Sequence, residues 1–139
     1  MRCKTIKYKK TALPIFISII IGSTFFACTY QKQELKINCV LPTTVSYNQD
    51  IQSIFNAQCA TSGCHTSVAK AGGLNLQATV AYSQLTKSGS GYVDTINPQF
   101  SILYSKLISA SDYMPPTGKL DECKIQLVLK WIQQKAKNN

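Results

Sequence analysis

The sequence predicts a mostly α domain, small enough for one core, in which helices and long loops wrap around something that fills its centre. Three observations carry this expectation. Apolar residues recur at helical offsets in separated stretches, no stretch alternates apolar and polar residues long enough to argue a sheet, and Gly72-Gly73 and Pro115-Pro116 interrupt regular structure between the stretches.

The chain opens with MRCKTIKYKK, which carries Arg2, Lys4, Lys7, Lys9 and Lys10 and no acidic residue, followed by an apolar run from Ala12 to Ala27. That is the shape of a secretory signal. The run is shorter than the roughly 20 apolar residues that span a bilayer, and small Ala27 precedes Cys28. The pattern resembles a bacterial lipoprotein signal, which implies a lipid-anchored protein on the periplasmic side of a bacterial membrane, with lipid on Cys28. Cleavage nearby by ordinary signal peptidase and retention as an uncleaved anchor are the alternatives, and all three export the domain. Residues 1–27 are thus the expected signal and 28–44 a polar tether. The domain covers 45–139.

Within that domain, Ser46 and Gln49 fit a capping box, and Ile51, Ile54, Phe55 and Cys59 follow on one helical face. A short helix is expected over residues 78–85. Asn97-Pro98 opens another, with Phe100, Leu103, Tyr104 and Leu107 at helical spacing. Asp121 is a suitable N-cap for the last helix. Its face is Ile125, Val128, Leu129, Ile132 and Ala136, widened by Leu127 and Trp131, with Lys135 and Lys137 near the negative end of the helix dipole.

Charge bears on partners. The chain has 15 Lys and Arg against 6 Asp and Glu, a net +9. Removing the five cations of the signal leaves 10 against 6, or +4, spread over 112 residues with no basic-aromatic patch. Nucleic acid is therefore not an expected partner.

Two cysteines, Cys59 and Cys64, lie in AQCATSGCHTS, and the only histidine, His65, follows the second. The spacing is C-x4-C-H, two residues wider than the C-x-x-C-H of c-type haem attachment. Three chemistries suit it. The thiols could add to haem vinyl groups with His65 under the iron, two thiolates and an imidazole could bind zinc with Cys39 or Cys123 as fourth ligand, or the cysteines could form a local disulfide with His65 incidental. Met114 favours haem, because the only methionine besides Met1 stands in a proline-stiffened loop 49 residues further on. A thioether is a sixth ligand for c-type iron, and zinc has no use for it. Cys39 and Cys123 remain unassigned. In an exported protein a disulfide is their simplest account, with two buried free thiols as the alternative.

These residues together resemble a small monohaem c-type cytochrome, and within that superfamily a group of bacterial lipoprotein cytochromes with a wide C-x4-C-H motif. The matching pieces are NQDIQSIFNAQCATSGCH, GGLNL, NPQFSILYSKL, MPPTGKL and LDECKIQLVLKWI, running in family order over residues 45–136. The resemblance implies a class I cytochrome c-like domain, with its first and last helices packed across each other around one covalently bound haem. It implies haem held through Cys59, Cys64 and His65, Met114 as the distal ligand, and a match of Cys39 and Cys123 to a cysteine pair of the group. The four-residue spacer then has to bulge. No proline follows the motif to aim a carbonyl at the His65 ring N–H.

The function so implied is electron transfer with redox partner proteins, by a carrier rather than an enzyme. A haem enzyme or gas-binding protein with displaceable Met114 is the first rival. A disulfide- or zinc-stabilised surface lipoprotein without redox chemistry is the second.

Overall fold

The computed structural model describes residues 39–139. The expected signal, Cys28 and most of the expected tether lie outside the described residues. Helices and turns account for all the regular structure among those described, and no strand is present there.

The first helical segment starts where the Ser46 hydroxyl accepts from the Gln49 N–H at 3.2 Å. The returning contact is not made by Gln49, as the capping-box pattern suggested. Asp50 makes it, its Oδ2 accepting from the Ser46 N–H at 2.8 Å. The opening turn Tyr47–Ile51 is π-helical, and its wider winding brings the next residue along over Ser46. Helix α1 (Gln52–Gln58) continues from it and buries Ile54 and Phe55 beside Ile51, delivering Cys59 to the core at its C-terminal cap.

Helix α2 (Ala81–Leu85) is shorter than expected, because residues 78–80 form a turn in which the Gln77 carbonyl accepts from the N–H groups of Val80 and Ala81. A 3-10 turn (Pro98–Phe100) precedes α3 (Ile102–Ile108). Ser101 between them has extended backbone (φ −55°, ψ 128°), so no single helix carries the spacing from Phe100 to Leu107. Leu107 is buried. Phe100, expected on the same face, is 79% exposed.

Helix α4 (Glu122–Gln133) starts at Asp121, whose Oδ1 accepts from the Cys123 N–H at 3.0 Å. It buries Ile125, Val128, Trp131 and Ile132, whereas Leu129 is only half-buried. The core face is thus centred on Trp131. The helix ends in a Schellman pattern, the Lys135 N–H reaching the Ile132 carbonyl and the Ala136 N–H that of Trp131. This turns Ala136 back into the core.

Helix α4 packs on α3 and on the opening turn Tyr47–Ile51. An aromatic cluster sits at the second contact, with Tyr47 5.0 Å from Tyr82 and 5.3 Å from Trp131 between ring centroids. A disulfide joins Cys39 to Cys123, Cα to Cα 5.4 Å, tying the chain ahead of the first helix to the first turn of the last.

Candidate functional site

The loop after α1 absorbs the wide spacer as a turn. Helix α1 closes with the Cys59 N–H on the Phe55 carbonyl at 2.9 Å, and the Cys64 N–H then bonds the Thr61 carbonyl at 3.0 Å. Gly63 sits in that turn at φ +79°, in the left-handed region that a side chain would strain. The His65 N–H returns to the Cys59 carbonyl at 3.1 Å, so the motif closes on itself despite its extra residues.

The GGLNL segment then lines up beside the motif. The Ala71 N–H bonds the Cys64 carbonyl at 3.1 Å, and the Leu76 N–H bonds that of His65 at 2.8 Å. Between these two bonds, His65 Nδ1 lies 3.2 Å from the Leu74 carbonyl oxygen. A carbonyl only accepts, so this contact assigns the ring proton to Nδ1 and leaves the Nε2 lone pair free to ligate. Leu74 supplies what a proline after the motif does not. The sequence carried a signal for it in Gly72-Gly73, whose φ values of +61° and +76° turn the chain back toward the histidine.

Cys59, Cys64, His65 and Met114 all line one cleft of about 530 Å³. That volume lies within the ordinary range for small-molecule and cofactor sites. Leu74, Leu76, Leu103 and Leu107 supply apolar wall, and Tyr92 and Lys106 also reach the lining. No pattern in the sequence marked those last two. Met114 stands on the rim, 36% exposed, its N–H bonded to the Lys106 carbonyl at 2.9 Å. An ion pair between Lys106 and Asp112 closes the same loop onto α3.

The geometry weighs among the three chemistries. Cys59 and Cys64 are both free thiols rather than a local disulfide. Cys39 and Cys123, offered as a fourth zinc ligand, are bonded to each other. No three His, Cys, Asp or Glu side chains among the described residues gather closely enough to hold a metal ion. Burial, and secondarily the neighbouring Cys64, pushes the Cys59 thiol up to about 11. An apolar cleft with two free thiols at a helix end, an imidazole with Nε2 available and a thioether on the rim has the donor set of a covalently held haem.

Residues 62–118 match the family model described as PSCyt1: Planctomycete cytochrome C. The match supports a cytochrome c-like family. It spans Cys64, His65 and Met114, and stops short of Cys59 and α4. The mostly α fold is cytochrome c-like in kind, and covalently bound haem with haem-based electron transfer is the general chemistry of such a family. No curated protein and no solved structure matches the chain.

Proposed function

We propose that the chain is a membrane-tethered electron carrier with one covalent haem, held through thioethers to Cys59 and Cys64 and ligated axially by His65 and Met114. The observation that carries this reading is the convergence of those four side chains on one apolar cleft, with His65 Nδ1 engaged by the Leu74 carbonyl. The bound haem supplies an iron that passes between Fe(III) and Fe(II). The protein's part is positional. Leu74 fixes the imidazole tautomer and the ring's orientation, and the leucines of the wall exclude water. The neutral, soft sulfur of Met114 favours Fe(II), which puts the expected potential on the high side. Cys28, carrying lipid, tethers the domain on the periplasmic side of the membrane, where redox partner proteins reach it.

A second reading draws on the exposure of Met114. A rim ligand that solvent reaches can be displaced, and the site would then serve an enzyme or a gas binder. One experiment separates the two. Protein exported with c-type maturation should keep its haem through acid-acetone extraction and show a low-spin spectrum. Met114→Ala should then give a high-spin fraction and bind added ligands. Met114→His should stay low-spin with a lower potential, since axial ligands tune haem over about 0.8 V. A high-spin unmodified protein favours the second reading, and absence of a Soret band overturns both. Labelling with a fatty acid, abolished by Cys28→Ala, tests the tether.

A further inference from the structure

Beside the cleft lies a second concavity of about 590 Å³ with a different lining, made by Gly73, Gln84, Lys87, Ser88, Ser90 and Tyr92. Ser90 and Tyr92 line both spaces, so the two adjoin at those residues. The annex holds neither cysteine of the motif, nor His65, nor Met114. What it holds is a cation and several hydrogen-bonding side chains. Among the described residues the one ion pair joins Lys106 to Asp112, so Lys87 meets no carboxylate there. The loop carrying Lys87 is shaped by its own bonds, the Ser90 N–H to the Lys87 carbonyl at 3.1 Å and the Tyr92 N–H to Ser90 Oγ at 3.4 Å.

From this arrangement, and resting on the haem reading above, we infer that the annex around Lys87, Ser88, Ser90 and Tyr92 receives the haem carboxylates. A haem has an apolar ring, two edges that react with thiols and two propionate groups elsewhere on its rim. The apolar cleft with Cys59 and Cys64 suits the ring and the thiol-reactive edges. A carboxylate left in the leucine-lined part would lose hydration without a partner, which is costly. The cleft's own cation, Lys106, is paired with Asp112, and the adjoining annex offers the ammonium of Lys87 together with hydroxyl donors. Gln84 is held at its edge by the bond from the Asn75 N–H to Gln84 Oε1 at 2.7 Å, which leaves its amide N–H groups as further donors.

The consequence is electrostatic. Propionate charge stabilises Fe(III), and Lys87 offsets it, which raises the potential. In haem-loaded protein, Lys87→Gln should lower the midpoint potential, Lys87→Glu should lower it further, and Lys87→Arg should restore it. The reference is Lys130→Gln, a change of equal charge at a lysine that lines neither space. Lys87 is exposed, so folding should survive each change. Equal shifts in Lys87→Gln and Lys130→Gln, with the haem in place, overturn this assignment alone. Unmodified protein that carries no covalent haem overturns it together with the reading beneath it.

Discussion

Asp94 organises the loop ahead of α3 through one carboxylate. Its Oδ1 accepts from the N–H groups of Ile96 and Asn97 at 2.8 and 2.9 Å, while its own N–H bonds Ser101 Oγ at 2.9 Å. The backbone hydrogen bond from Asn97, then that from Ile96, holds this carboxyl below the usual range. A depressed folded-state value contributes stability that is present above the unfolded value, near pH 4, and is lost as pH falls through the folded one. Asp94→Asn should therefore flatten the acid limb of the stability profile, read from urea melts at pH 7, 4 and 3; an unchanged acid limb would remove Asp94 from the account. Lys135 shows how much lies beyond side-chain type. Lys135 reads in sequence as a cation near a helix end, yet it occupies the left-handed position of the Schellman turn at φ +68° and donates to the Thr95 carbonyl at 3.0 Å. Side-chain charge is visible in a sequence. Backbone conformation at a helix end is set by what the following residue must bury, here Ala136.

The contact between the first helical segment and α4 depends on Tyr47, whose ring packs on Trp131 and Tyr82. Its hydroxyl donates to Gln52 Oε1 at 2.8 Å, and Gln52 Nε2 in turn donates to the Leu76 carbonyl at 3.0 Å. The network thereby joins α1 to the GGLNL segment that steadies His65. Tyr47→Phe keeps the ring but strands a buried acceptor, so it should cost about 1–2 kcal/mol, measured by denaturant unfolding at pH 7. Burial, and secondarily Tyr82, pushes the Tyr47 phenol up to about 12. The unfolded chain ionises this group near 10, so the wild type should lose stability as pH rises from 10 toward 12. Tyr47→Phe should lose less over that interval. Periodicity made the core faces of the first and last segments legible, because Ile51, Phe55, Ile125 and Val128 each meet a large apolar neighbour. Gln52 was not legible. A buried glutamine shows no apolar spacing, and only the packed fold supplies its partners.

Across the whole molecule, the Cys39–Cys123 bridge closes a sequence separation of 84 residues. In the chain-entropy account such a loop stabilises by about 4.5 kcal/mol, an upper figure. Replacing both cysteines with serine should lower unfolding stability by an amount of that order, with the haem-loaded protein compared at equal loading. A loss under about 1 kcal/mol would mean that the unfolded chain is already constrained. The bridge and the C-terminal segment act on the same region. Asn139 Oδ1 accepts from the Tyr47 N–H at 2.9 Å, and Gln134 Oε1 accepts from the Val45 N–H at 2.9 Å. The end of α4 and the start of the first segment therefore hold each other from several points.

Within the domain and the stretch just ahead of it, the sequence by itself determined the residue types with chemistry and their order: two thiols, one imidazole, one internal thioether and the pair Cys39 and Cys123. It also determined most of the core faces of the first and last helical segments, since periodicity is a local property of the chain. Only the tertiary structure decided what stands opposite each group. The Leu74 carbonyl at His65, Asp50 rather than Gln49 at the first cap, the exposure of Phe100 and the polar annex beside the cleft all join positions whose relation depends on how the loops close. Loop closure is set by backbone hydrogen bonds and positive-φ glycines acting together over many residues. No short window of sequence contains both ends of such a contact.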